Sequence, residues 1–381
     1  MTIKRDYLGM FDVLKGFLML IIVFVHHASF INGGMRPYSA EGVLPKLTNW
    51  SALVIGLFFV IAGYQLRPGG KWKDYVKKQF IQLIVPYFAA VILAALGRGL
   101  IWYLKTGEMQ IRMISTILAG GCYGAIQNVE IFGVWAYSVQ ALWFLPTFFF
   151  SGLIFRLLWR IPREGIRKTV VWGVTAAAVY FPDAYQIQLP FFLVQSCAVL
   201  GLMETGYILR KEKLLYRKLP VWCPVGACLL YLFCHLFSAS NVASNVYRFG
   251  ILDYAAAVLM SVVVLSGYVR LGIGEWKGTE MLAYIGRYSM LFLLVHGEGL
   301  LLIPWEEELG RWLLRLPGLS ALPFCVAAGL IYVCRCIGIF AGCLGLDLLM
   351  RLKYYLKQRK RKELSENGGK NGKTGIRKKG C

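Results

Sequence analysis

Apolar residues in this chain come in long runs, and polar residues are confined to the gaps between them. Ten runs stand out, at about 11–31, 48–66, 81–104, 138–159, 169–182, 190–209, 219–238, 251–269, 282–303 and 323–350. Most approach the roughly 20 residues that an α-helix needs to cross a bilayer. The fifth is short and is closed by Pro182 and Asp183. The segment 113–137 is semi-apolar and glycine-rich, with Gly120, Gly121 and Gly124. It reads as a loop with an interfacial or re-entrant piece. The pattern predicts an all-α integral membrane fold with about ten transmembrane helices.

Composition agrees. Of 381 residues, 57% are hydrophobic and only 16% are charged, against roughly 25% in a soluble domain. Mean hydropathy is +0.57. A soluble core cannot absorb so much apolar surface, whereas a bilayer can. The first run has a basic start, but no small-x-small cleavage pattern follows it. It reads as a retained span and not as a signal peptide.

The net charge of +22 raises the question of nucleic acid. Residues 351–381 carry 12 Lys/Arg and 2 Glu, so ten of those charges lie in the tail. The others sit mostly in short loops, and no nucleic-acid-binding signature is present. The positive-inside rule accounts for the distribution better. With the N-terminus (Lys4, Arg5) in the cytoplasm, one set of loops holds Arg67, Lys71, Lys73, Lys77 and Lys78, then Arg156, Arg160, Arg163, Arg167 and Lys168, then Arg210, Lys211, Lys213, Arg217 and Lys218. Arg270, Lys277, Arg287 and the tail complete that side. The opposite loops are poorer in cations and hold Glu306, Glu307 and Glu308. The bias predicts N-in and C-in. Two parts follow: a membrane domain over 1–350 and a basic, disordered cytoplasmic tail over 351–381. That tail either lies on the anionic inner leaflet or simply anchors the last span. Of ten cysteines, most lie within apolar runs and none forms a CxxC pair. No metal site and no disulfide framework are expected.

Ionisable residues inside spans are costly, so each is a functional candidate. The first run holds Asp12, Lys15, His26 and His27. At 3.6 residues per turn, His26 lies only about 20° around the helix from Lys15 and about 40° from Asp12. The three share one stripe, with His26 about 16 Å along the axis from Lys15. Spacing alone leaves two readings open: a snorkelling Lys15 paired to Asp12 with a packed His26, or a chemical site.

Phe11-Asp12-Val13-Leu14-Lys15-Gly16, followed after apolar residues by His26, resembles the opening of the integral-membrane acyltransferase-3 family, where a basic residue precedes a histidine by eleven positions. Phe58-Phe59-Val60-Ile61-Ala62-Gly63-Tyr64 resembles that family's FFxxSGY segment, with Ala62 in place of Ser. Lys78 through Pro86-Tyr87 resembles its basic helix ending in PY, with Gln82 where Arg is common. Leu142-Trp143-Phe144-Leu145 resembles its WFL segment, and Gly286-Arg287-Tyr288-Ser289 through His296 its late serine-to-histidine span. The resemblance spans about 5–345. It is nearest the sugar and polysaccharide O-acetyltransferase branch, fucose 4-O-acetylase-like, because no extracytoplasmic esterase-like domain is present.

The resemblance implies an enzyme that moves an acetyl group from acetyl-CoA to a hydroxyl of a sugar or cell-surface glycan. No metal is implied. The expected location is the plasma membrane of a bacterium. His26 is the implied catalytic base or acyl carrier, and His296 a second catalytic candidate. Lys15, Lys78, Arg287 and Tyr64 are candidates for holding the donor. Trp143, Asp12 and Arg335 are candidates for substrate contact. His27 is set against direct participation by its different helix face, His235 reads as interfacial, and Glu204 as structural. Arg335, mid-span, needs a partner such as Glu298 or Asp253, or serves the substrate. Two rivals remain: a transporter or flippase whose pathway the stripe lines, and a membrane module serving a partner enzyme. The acceptor, the acyl chain and the oligomeric state stay open.

Overall fold

The computed structural model describes residues 9–35, 50–67, 69–131, 133–185, 189–238, 240–302 and 321–373. Lys4, Arg5, Glu306, Glu307 and Glu308, which enter the topology argument, lie outside the described residues. Among the described residues about 79% are helical. Every one of the ten apolar runs lies on a helix or on a bent helix pair.

The helices are α1 (Asp12–Met35), α2 (Ser51–Gln65), α3 (Trp72–Gln79), α4 (Val85–Thr106), α5 (Ile111–Tyr123), α6 (Phe144–Leu158) and α7 (Glu164–Tyr185). After them come α8 (Leu193–Ala198), α9 (Leu200–Lys211), α10 (Trp222–Phe237), α11 (Ile251–Arg270), α12 (Glu280–Arg287), α13 (Ser289–Leu302) and α14 (Ala321–Lys373). A π-helical turn, Phe80–Ile84, joins α3 to α4. Among the described residues four helical stretches are long and apolar enough to cross a membrane. They are Trp72–Thr106, Gln140–Leu158, Ile251–Arg270 and Cys325–Leu352. Counting each bent pair as one span brings the number to six. The outer face of α4 exposes Ile92, Leu93, Leu96 and Leu100, a surface that suits acyl chains and not water.

Two runs read as single spans are bent. Pro190–Ala198 meets Leu200–Lys211 at 43°, and α12 meets α13 at 76°. An unbroken apolar run carries no mark of such a bend. Beside the second bend, Gly286 on α12 and Gly16 on α1 let the two backbones touch. A Cβ on Gly286 would fall on the Asp12 carbonyl, and one on Gly16 on the Leu282 carbonyl. The same device joins α2 to α9, where Gly63 meets the Met203 carbonyl and Gly206 the Val60 carbonyl.

The segment 113–137 is more ordered than a loop. It contains α5 and a two-stranded antiparallel hairpin, β1 (Val129–Ile131) with β2 (Val134–Ala136), in which Glu130 faces Trp135. Its glycines permit close packing: Gly120 touches the Tyr137 carbonyl and Gly121 touches Val91. The Tyr87 hydroxyl on α4 donates to the Gly121 carbonyl at 2.8 Å. Asp253 closes the start of α11, its Oδ2 accepting from the Phe249 N–H at 2.8 Å and from the Ser238 hydroxyl. An acid in the first helical turn reaching back to the preceding backbone is the logic of a capping box.

The chain divides into two compact units, Met1–Val333 and Cys334–Cys381. The second is the later part of α14, where Arg351 pairs with Asp347 at 2.9 Å. The helix continues to Lys373. From Lys353 to Asn367 the chain has neither Gly nor Pro and is rich in Lys, Arg, Glu and Leu, all good helix formers.

Candidate functional site

The site is built on α1. Asp12 occupies the first turn, where the helix dipole favours an acid. It is buried, and its Oδ1 pairs with Lys15 Nζ at 2.9 Å, an i,i+3 contact. Its Oδ2 lies 3.6 Å from Arg287 Nε, presented by α12 at the Gly16–Gly286 crossing. Arg287 keeps 67% of its side chain exposed. Two cations thus share one carboxylate, and one of them faces outward. Tyr64 is buried beside this cluster, edge-on to Phe11 with ring centres 5.3 Å apart. The Tyr64 carbonyl accepts from Arg210 Nη1 at 3.0 Å.

Three turns further along α1, His26 meets His296 of α13. Their ring centroids are 5.2 Å apart at an interplanar angle of 59°. His296 is buried and His26 half-buried. α13 is held at this depth because Gly297 accepts close contact from Leu142 in the 3-10 turn Gln140–Trp143. That turn brings Trp143 to the same place.

A pocket of about 40 Å³ opens here, lined by Ile22, Val25, His26, Val54, Ile55, Ala141, Trp143, Phe144 and Leu293. A second pocket of about 20 Å³ is lined by Met19, Ile22, Phe58, Phe144, Ser289, Met290 and Leu293. The two share Ile22, Phe144 and Leu293 as walls. Their order along α13 runs from Ser289, two residues after Arg287, to Leu293 near His26.

A family model described as an acyltransferase domain matches residues 9–346. The chain belongs to the acyltransferase-3 family. No curated protein and no solved structure matches it. With its apolar helices, this family membership makes the protein a membrane acyltransferase.

Within the acyltransferase, the expected residues fall into two clusters. His26, His296 and Trp143 come together at the pocket, and Asp12, Lys15 and Arg287 at the end of α1. Lys78 is exposed on α3, and among the described residues no ion pair or hydrogen bond carries it to either cluster. Arg335 belongs to the second unit. His27 points elsewhere: its Nε2 lies 2.8 Å from the Ala328 carbonyl. A carbonyl only accepts, so Nε2 carries the proton there. Tyr332, whose ring lies 5.8 Å from that of His27, donates to the Leu20 carbonyl at 3.0 Å. His235 is stacked on Trp50 at 4.6 Å. Glu204 is structural in its contacts, pairing with Arg167 at 3.3 Å. Arg167, grouped with the loop cations by sequence, is buried against the Trp159 ring at 3.6 Å.

The sequence gives no sign that Ile22, Val54, Ile55 and Leu293 line a pocket, since apolar residues in apolar runs look alike. Phe144 had one signal, its place beside Trp143 in the WFL segment. Among the described residues no cluster of three or more His, Cys, Asp or Glu is placed to hold a metal.

Proposed function

We propose that this acyltransferase moves an acetyl group from acetyl-CoA to a hydroxyl of a sugar or cell-surface glycan, with His26 as general base or acyl carrier. In this reading the chain crosses a bacterial plasma membrane ten times, with both ends in the cytoplasm. The observation that carries it is the pairing of two sites on one helix. A cation cluster stands at one end of α1, and about 16 Å along it stands a pocket lined by His26, whose ring meets His296.

Lys15 and Arg287 offer point charge and a guanidinium fork to the CoA phosphates. Asp12 holds both in position and leaves one net positive charge. The flexible arm runs past Ser289 toward His26. A neutral imidazole is a suitable base near pH 7. It takes the proton of the acceptor hydroxyl as that oxygen attacks the thioester carbonyl. The carbon–sulfur bond then breaks, and the CoA thiolate takes up a proton. If His26 attacks first, the acyl group passes through an acyl-imidazole and then to the hydroxyl oxygen. The acceptor reaches His26 from the side opposite Lys15.

The test is chemical. Surface glycans from cells with the protein, without it, and with His26→Ala are compared for O-acetyl esters. Esters are expected only with the unaltered protein. Equal ester content in all three would overturn the reading.

A further inference from the structure

The pocket beside His26 has an uneven chemistry. Of its nine lining residues, seven are Ile22, Val25, Val54, Ile55, Ala141, Phe144 and Leu293, and only His26 and Trp143 carry a polar side-chain atom. A sugar ring brings several hydroxyls, and each left without a partner in such a place is penalised. An acyl chain brings none. Size points the same way. A single water needs about 10–15 Å³ of such space. The pocket, at about 40 Å³, has room for a short acyl group and is small for a sugar ring. An acetyl group has three heavy atoms.

We propose that this pocket receives the acyl group and excludes the acceptor, and that Val54 and Ile55 on α2 limit the acyl chain to the length of acetyl. The inference rests on the reading of acyl-CoA as donor. It assigns Trp143 to the acyl wall and not to the glycan. The acceptor hydroxyl then meets the thioester at the pocket mouth, and the ring stays outside. The limit comes from packing. Val54 and Ile55 are both buried, on a helix fixed by the Gly63 and Gly206 contacts with α9. They cannot retreat without moving that pair. One methylene in excess in a rigid apolar pocket is discriminated about 10- to 200-fold.

Binding of S-alkyl-CoA thioethers to the purified full chain tests this without an acceptor. S-ethyl-CoA has the two-carbon chain length of acetyl-CoA, and S-butyl-CoA adds two methylenes. Calorimetry on the wild type should show S-ethyl-CoA bound at least tenfold tighter. Ile55→Ala should shrink that preference at least tenfold while leaving S-ethyl-CoA affinity within about threefold. Val54→Ala provides the same reading if Ile55→Ala fails to fold. Ala141→Val, which fills the space, should weaken even S-ethyl-CoA while unmodified CoA binds as before. Equal binding of both thioethers by the wild type, or an unchanged preference in a folded Ile55→Ala or Val54→Ala protein, overturns the acyl-pocket assignment. Failure of the wild type to bind unmodified CoA or either thioether sinks the donor reading beneath it.

Discussion

His26 and His296 stand 270 positions apart in the chain, and their imidazole rings are 5.2 Å apart. The helices α1 and α13 thus bring the two rings to one place. His26→Ala should lower transfer by about 10²- to 10⁴-fold, the usual cost of losing a general base. His296→Ala should cost less, because His26 alone lines the pocket. Initial rates on correctly inserted protein check this. Near-normal transfer by His26→Ala would remove it from the chemistry.

His27 makes a sharp contrast with its neighbour. Its bond to the Ala328 carbonyl fastens α1 to α14. His27→Ala removes that cross-helix bond while the carbonyl keeps its own helical donor, a loss of about 0.5–1.5 kcal/mol in stability. Thermal unfolding in detergent should register it, while the rate per folded molecule falls less than tenfold. A stable His27→Ala protein as inactive as His26→Ala would reverse the two assignments.

The α1–α12 crossing has no room for a methyl group. Gly286→Ala drives a Cβ into the Asp12 carbonyl, and overpacking of this kind costs about 1–3 kcal/mol. Gly267 on α11 has nothing within 4 Å of an added Cβ, so Gly267→Ala should be neutral or slightly stabilising. Equal melting temperatures for the two variants would disprove the close approach.

Lys15 should affect the donor and not the acceptor. Lys15→Ala is expected to raise the KM for acetyl-CoA with little change in kcat, the pattern of lost uniform binding. Steady-state kinetics with each substrate varied in turn separates the two. A kcat loss with unchanged donor KM would place Lys15 outside the donor site.

Glu164, at the exposed start of α7, is held at a pKa of about 2 by hydrogen bonds from Lys211 and Lys168. Its ordinary value is 4.5. A depressed carboxylate stabilises the folded state above its ordinary value, and the contribution fades as pH falls toward the folded value. The melting temperature of wild type relative to Glu164→Gln should therefore be higher at pH 6 and converge with it near pH 2. A gap that stays constant across that range would show that the ion pairs do not set it.

Sequence and structure meet most closely on α1. Asp12, Lys15 and His26 were legible as one stripe because charge inside a membrane is conspicuous and helical spacing is simple arithmetic. The apolar runs announced their helices for the same reason. The 76° turn between α12 and α13 was not legible, nor was the Gly16–Gly286 contact beside it, whose partners stand 270 positions apart. Nor were the pocket walls: Ile55 and Ile92 are the same residue type in similar runs, yet one is buried beside the pocket and the other exposed. Arg167 looked like a loop cation until Glu204 and Trp159 enclosed it.

The contact between Gly16 and Gly286 also sets a timetable for biogenesis. Ribosomes add about 5–20 residues per second, so roughly 15–55 seconds separate the synthesis of the two glycines. Through that interval α1 waits without the helix that packs beside Asp12 and Lys15. The last histidine of the pair arrives ten residues later still. A nascent chain therefore lacks the His26–His296 pair until most of it has been made, and a product truncated before α13 never gains it.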